Sequence, residues 1–222
     1  MHSGGVPYLK TIHEAIAANS ATLRRLDVFG EVLWDCPPAS FSNLHELAIV
    51  FPHTLDGLGL IFEHCRRLTG FTLCTENDGM DLADVLKTHP DAFPNLTSFK
   101  LLSVFDLPDE AVEEIAKFIK KRTLLRRVDV STRTEGNVGD PLINLPILQA
   151  LPELPRLEVL GLDVRPARLT AVHVKLLQQY IPQRVTALFL LLQAESSDAK
   201  VADWRNFVSR HYPSSPHAVL TR

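Results

Sequence analysis

The chain has 222 residues, 45% of them hydrophobic and 22% charged, and a formal net charge of -3 at pH 7. This composition is typical of an ordinary globular protein, and the negative charge argues against a generally basic nucleic-acid-binding protein. No apolar run approaches the roughly 20 residues of a membrane helix, no secretory signal pattern opens the chain, and three cysteines imply no disulfide framework. We therefore expect an intracellular protein, cytoplasmic or nuclear, with neither a membrane nor a nucleic acid as its partner.

A leucine-rich pattern recurs along the chain and is its strongest structural signal. The pattern is L-x-x-L-x-L, with any apolar residue accepted at the L positions, and its seven copies begin at Leu23, Leu44, Leu68, Leu96, Leu125, Leu157 and Val185. The intervals range from 21 residues (Leu23 to Leu44) to 32 residues (Leu125 to Leu157). The last two apolar residues of each copy are two apart, so they lie on one side of a strand. The pattern predicts strands within about two residues of 24–28, 45–49, 69–73, 97–101, 126–130, 158–162 and 186–190.

Helical apolar periodicity occupies the intervals between these strands. A stripe near the N-terminus predicts a capping helix over 8–19. Thr54 and Asp81 are candidate N-caps, and Pro108 suits the first turn of the clearest helix, over 108–122. Further helices are predicted near 145–151, from Thr170, and over 198–212 as a C-terminal capping helix, followed by a loose tail over 213–222.

The alternation of strands and helices predicts the architecture. Each step between strands is too long for a tight hairpin, which favours parallel strands joined by helical crossovers. Steps of similar length favour a one-directional solenoid rather than a doubly wound sheet. We expect a single α/β domain over 1–212, with about seven parallel strands on a concave face and the helices on a convex face. One buried row should consist of Leu26, Leu47, Phe71, Phe99, Val128, Leu160 and Leu188.

The side chains between the buried positions should line the concave face. Arg24–Val28 and Arg126–Val130 are near copies of each other, in the first and fifth strands. One interpretation is repeat ancestry and solvation, with each Asp neutralising its neighbouring Arg. The other is a partner-binding surface consisting of Arg25, Asp27, Lys100, Arg127, Asp129, Val159 and Phe189.

Phe189 poses a separate question, because a solvent-facing aromatic residue is not needed for the core. It either belongs to an apolar contact with a partner, together with Val159, or is covered by the C-terminal segment that contains Val219 and Leu220.

The repeats resemble those of leucine-rich repeat proteins of the irregular, ribonuclease-inhibitor-like kind. The segments 93–101 and 154–162 resemble the repeat regions of fungal F-box proteins. The resemblance implies substrate recognition for ubiquitin ligation, although residues 1–22 are too short for an F-box. In such repeats an asparagine usually stands three residues after the last leucine, but here other residues replace it in all seven copies, which predicts irregular turns. These positions hold Glu31, Pro52, Glu76, Val104, Arg133, Arg165 and Gln193.

Motifs for catalysis or metal binding are weak. His13-Glu14 lacks a second histidine at position 17, and Asn95 opens a glycosylation sequon whose next residue, Leu96, is a predicted core position. His64 and Cys65 are adjacent, but a nucleophilic pair would require spatial contact. We expect a monomeric, non-catalytic protein-recognition scaffold without cofactor or metal. The alternatives are a hydrolase or another enzyme with a site in the concave groove, and a truncated structural fragment.

Overall fold

The protein is described by a computed structural model over residues 7–76, 79–103, 105, 107–132, 145–164, 171–192 and 220–221. Strands and helices alternate along the chain. Their bounds are α1 Pro7–Asn19, β1 Arg25–Phe29, β2 Glu46–Val50, α2 Leu58–His64, β3 Gly70–Thr75, α3 Met80–Thr88, β4 Ser98–Ser103, α4 Asp109–Lys120, β5 Arg127–Thr132, α5 Leu145–Ala150, β6 Val159–Val164, α6 Ala171–Tyr180, β7 Ala187–Leu192 and β8 Leu220–Thr221. Short 3-10 helices cover Pro38–Phe41 and Leu151–Glu153.

The described strands form one parallel sheet in which the spatial order follows the chain order from β1 to β8. The seven predicted strands are confirmed within two residues, so the α/β class is correct. Each begins one residue later than predicted and ends one or two residues later. The pattern stops at its last apolar position, whereas the pairing continues beyond it.

The same backbone arrangement opens each strand from β2 to β7. At the start of β4, for example, the N–H groups of Thr97 and Ser98 both donate to the carbonyl of Thr69, at 2.8 and 2.9 Å. The hydroxyl of Thr97 donates to the same carbonyl, at 2.9 Å. This repeated junction fixes the register of consecutive strands, since the same position of each copy bonds to its counterpart one strand earlier.

One face of the sheet packs against the helices and forms the core. Six members of the predicted row are buried, and Phe71 and Phe99 join a cluster of aromatic rings with Phe62, Phe93 and Phe118. The seventh member, Leu26, is only half-buried. It lies in β1 at the edge of the sheet, where a neighbouring strand covers it on one side only, so its placement in a uniformly buried row was wrong.

Two helices begin differently from the prediction. The N-cap of α2 is Gly57 rather than Thr54, whose backbone is bonded to the side chains of Trp34 and Glu31. The N-cap of α3 is Gly79, with a φ of 87°, and Asp81 lies in the first turn instead.

The C-terminal predictions are only partly within the described residues. Leu220 and Thr221 form β8 beside β7, where a loose tail was expected. The predicted helix over 198–212, Thr170 and Val219 lie outside the described residues. In the described part of the chain, no helix has the length and apolar character needed to cross a membrane.

Candidate functional site: the open face of the sheet

The face of the sheet opposite the core, here called the open face, carries mostly exposed or half-buried side chains. Strand alternation places every second residue there, in rows that the register aligns across the sheet. The first row is Arg25, Glu46, Gly70, Ser98, Arg127, Val159 and Ala187. The second row is Asp27, Ala48, Thr72, Lys100, Asp129, Gly161 and Phe189.

The end of the open face at β1 and β2 is an ion-pair cluster with an excess of acid. The guanidinium of Arg25 lies 2.9 Å from Oδ2 of Asp27 and 3.4 Å from Oε2 of Glu46. The hydrogen bond to Asp27, with the charges of Asp27 and Glu46, raises the pKa of Arg25 above its ordinary value. Two carboxylates share one guanidinium, so this end carries a local charge of about -1.

Small side chains separate this cluster from the next charged group. Ala48, Gly70, Thr72 and Ser98 leave a cavity of about 290 Å³ above the middle strands. Arg25 and Arg127 are both among the residues that line it. The cavity is a shallow opening in the face, large enough for a side chain of a partner.

The end at β4 and β5 has the opposite charge balance. Arg127 Nη2 donates to Oδ2 of Asp129 at 3.2 Å, and Arg127 Nε is buried without a hydrogen-bond partner. Lys100 has no ion pair with a carboxylate of the described residues. Two cations therefore face one carboxylate, and this end carries a local charge of about +1.

The charged region is bordered on the β7 side by a contact between Arg127 and the ring of Phe189. The guanidinium carbon of Arg127 lies 5.6 Å from the ring centroid of Phe189, within the range of a cation–π contact. Phe189 is half-buried and pairs in register with Gly161. A Cβ at Gly161 would collide with the carboxylate of Asp129, so glycine provides the space in which Asp129 lies.

The predicted site residues thus fall into two groups. Arg25 and Asp27 form one, and Lys100, Arg127, Asp129 and Phe189 lie on neighbouring positions of the other, with half-buried Val159 next to Arg127 in the register. Phe189 is not packed into the helix-covered core, so the predicted register of the seventh strand is correct. Leu220 lies in β8, the last strand of the described sheet, where it pairs in register with Leu190.

A third row at the carboxyl ends of the strands was missed by the sequence analysis. It begins with Phe29, Val50, Cys74 and Leu102, which we call the apolar strip. Each of these residues directly follows the last apolar residue of its repeat and lies two positions after the second-row residue of its strand. Continuing the strand alternation by one step in the first four copies would have revealed the row.

The surroundings of the three cysteines, including the candidate nucleophile Cys65, do not favour nucleophilic catalysis. Burial raises the pKa of the Cys65 thiol to about 12 and that of Cys36 to about 11. Burial also raises the pKa of Cys74, and the charge of Lys100 offsets this only in part. A nucleophilic cysteine needs a lowered pKa, whereas the pKa values of these three thiols are raised.

The other weak motifs have structural contacts. His13 Nε2 lies 2.7 Å from the carbonyl of Val32, and Asn95 Nδ2 donates to the carbonyl of Arg66 at 3.3 Å. Within the described residues, no group of three or more His, Cys, Asp or Glu side chains is arranged to hold a metal ion.

Comparison with known proteins assigns no family. No protein-family model matches the chain, and no curated protein matches it in sequence.

Proposed function

We propose that the protein is a leucine-rich-repeat-type solenoid that works as a non-catalytic protein-recognition scaffold, with the open face as its binding surface. The observation that carries the proposal is the change in charge, size and aromatic character of the side chains from one end of that face to the other. An acidic end, small residues, a basic end and an aromatic end follow one another across strands whose backbone is fixed by repeated junctions. The side chains of this face do not contribute to the core, so many different residue types can be presented there to a partner.

The distribution of charge supports recognition of a protein rather than a small molecule. The acidic and basic ends lie on strands two to four positions apart, at about 4.8 Å per strand, so they are separated by about 10 to 19 Å. A folded domain or a peptide spans that distance with complementary charges. Charge complementarity of this kind chiefly improves the association rate and the discrimination between partners.

The enzyme alternative receives no support from a specific observation. The cavity of the open face is lined by Arg, Lys, Asp, Glu, Thr, Ser and small or aliphatic residues, with neither His nor Cys among its lining residues. An open groove with scattered ionisable groups favours a scaffold over an active site.

The family resemblance adds a narrower expectation to the proposal. If the scaffold works as the fungal F-box proteins do, its partner is a substrate for ubiquitin ligation, and it acts as an intracellular monomer. The resemblance rests on the repeat segments alone.

The test is affinity capture from native cells followed by identification of the captured proteins. Wild type should capture a defined set of proteins that is lost with Arg127→Glu, which reverses the charge of the basic end. Lys117→Glu is the matched control, because Lys117 is exposed on α4 and pairs there with Glu114. Equal capture by wild type and Arg127→Glu, at equal thermal stability, would refute the open face as the binding surface.

A further inference from the structure

The apolar strip is a continuous row across the first four strands. Phe29 pairs with Val50, Val50 with Cys74 and Cys74 with Leu102 in the sheet register. Phe29 is 67% exposed and Leu102 is 40% exposed, while Val50 and Cys74 are half-buried. Single exposed apolar residues are common, but a contiguous row usually marks a contact surface.

Aromatic residues extend the strip at the same edge of the sheet. The ring of Phe51 meets that of Phe29 edge-on, with centroids 5.7 Å apart. Phe51 is held in place by its N–H, which donates to the carbonyl of Cys74 at 2.8 Å. Phe105 follows β4 and is 54% exposed. Three of the six large apolar side chains that are exposed in the described residues are therefore at this edge: Phe29, Leu102 and Phe105.

The spacing of the strip distinguishes between possible occupants. Three gaps of about 4.8 Å separate β1 from β4, so the strip is about 14 Å long. An α-helix lying across the strands presents one apolar side chain per 5.4 Å turn, which gives about 16 Å over three turns. An extended segment presents one side chain per two residues, about 6.7 Å, and would need about 20 Å. The helix fits the strip and the extended segment does not.

The charges beside the strip give the helix a direction. The second row, next to the strip, has Asp27 at its β1 end and Lys100 at its β4 end. Asp27 and Glu46 outnumber Arg25 at the first end, and Lys100 has no ion pair with the described carboxylates at the other. A helix carries a positive partial charge at its N-terminus and a negative one at its C-terminus. Its N-terminus should therefore point to β1 and its C-terminus to β4.

We infer that the apolar strip binds an amphipathic helix of a protein partner, laid across β1 to β4, with an acidic side chain near its C-terminus paired to Lys100. This inference rests on the proposed function and specifies the class of partner. The helix contributes apolar side chains at positions i, i+4, i+7 and i+11, one for each strand. Phe29 and Phe51 lie at the β1 end of the surface, and Leu102, followed by Phe105, lies at the β4 end.

A displayed library of helical peptides of about 16 residues, randomised at the four apolar positions and at the flanking ones, provides the probe. Selection on the wild-type protein should enrich Leu, Ile, Phe or Met at all four positions and Asp or Glu beside the last. Fluorescence anisotropy with an enriched peptide then measures affinity. The double variant Phe29→Asp, Leu102→Asp should weaken binding by about tenfold or more, and Lys100→Ala by several-fold, with a reduced salt dependence.

Val172→Asp is the matched control, because Val172 is 63% exposed on α6, and it should bind the peptide as wild type does. Circular dichroism of each variant confirms that it is folded. The enriched peptide should also displace proteins that the wild type captures from cells.

Other outcomes would overturn the inference in identifiable ways. Failure to enrich any sequence, or enrichment of an alternating apolar pattern, would exclude a helical partner. Binding that is lost with Phe189→Asp but kept in the double variant would move the contact to the β7 end, leaving the proposed function intact. Dimerisation of the free wild-type chain that the double variant abolishes would identify a second copy as the occupant of the strip.

Discussion

Phe99 lies in the aromatic cluster of the core. It is buried, stacks on Phe71 with ring centroids 6.3 Å apart and contacts Phe118 at 5.8 Å. Phe99→Ala should lower the free energy of unfolding by roughly 3–5 kcal/mol, through lost burial and a residual cavity. Chemical denaturation monitored by circular dichroism measures this change.

Asp27→Ala is the control on the opposite face of the sheet. Asp27 is exposed and its ion pair with Arg25 lies in solvent, so the variant should change stability by no more than about 0.5 kcal/mol. A loss of less than about 1 kcal/mol for Phe99→Ala would contradict the placement of this residue in the core.

Glu31 links the turn after β1 to the turn after β2. Its carboxylate accepts hydrogen bonds from the N–H groups of His53 and Thr54. Burial acts to raise the pKa of Glu31, but these hydrogen bonds outweigh it and hold the pKa below its ordinary value. Glu31 also occupies one of the positions at which leucine-rich repeats usually carry asparagine, and here a carboxylate bonds the backbone.

This shift predicts a pH dependence with a defined sign. A carboxylate whose pKa is lowered by folding stabilises the protein above the unfolded pKa of about 4.3 and loses that effect as the pH falls. Glu31→Gln should therefore be less stable than wild type at pH 7, by under about 1 kcal/mol because the bonds are near solvent. The difference should shrink below pH of about 4. Glu76→Gln, at an exposed position, should leave the stability at pH 7 within about 0.5 kcal/mol of wild type.

At the scale of elements, α3 begins at a glycine that the backbone requires. Gly79 has a φ of 87°, and a Cβ there would lie 2.6 Å from Cδ2 of Leu107, which is itself buried. Gly79→Ala should destabilise the protein by about 1–3 kcal/mol through backbone strain and this collision.

Thermal or chemical unfolding of Gly30→Ala separates the cost of backbone strain from the cost of the collision with Leu107. Gly30 has a φ of 70°, but nothing lies within 4 Å of the Cβ position. This variant should show the backbone strain alone, roughly 1 kcal/mol. Equal losses for the two variants would mean that Leu107 moves aside freely.

Sequence analysis predicted the strands well, because apolar residues recur there with a single period of two. All seven long strands follow from apolar residues two apart, because that spacing reports directly which side chains are buried. The start of α2 was missed because Thr54 has a good capping side chain, yet its backbone N–H bonds to Glu31 from a distant turn. The strand β8 has only two residues and no periodicity to detect.

The candidate site was predicted less completely than the fold. The near-identical Arg-x-Asp segments indicated Arg25, Asp27, Arg127 and Asp129, and alternation placed them on the open face. The contact between Arg127 and Phe189 depends on two strands that are separated by β6, and on the space above Gly161. No local pattern encodes such a contact, because it arises from the register of three strands.

For the whole molecule, the sheet order predicts uneven stability along the chain. Each strand of the described sheet pairs only with its neighbours in sequence, and Leu26 and Val28 of β1 are less buried than their counterparts in β2 to β5. Native-state hydrogen exchange should find the slowest amides in β3, β4 and β5 and faster exchange in β1. Uniform protection from β1 to β7 would indicate a single cooperative unit instead.

The consecutive strand order also determines how the molecule would respond to mechanical force. The edge strands β1 and β8 are close to the two ends of the chain, so tension applied through the termini acts on the outermost strands first. Each strand would peel away from its neighbour in turn, as in a zipper, and would release one interval of 21 to 32 residues. An extended residue spans about 3.6 Å, so each step should lengthen the chain by roughly 8–12 nm. We therefore expect the molecule to lengthen in stages under load.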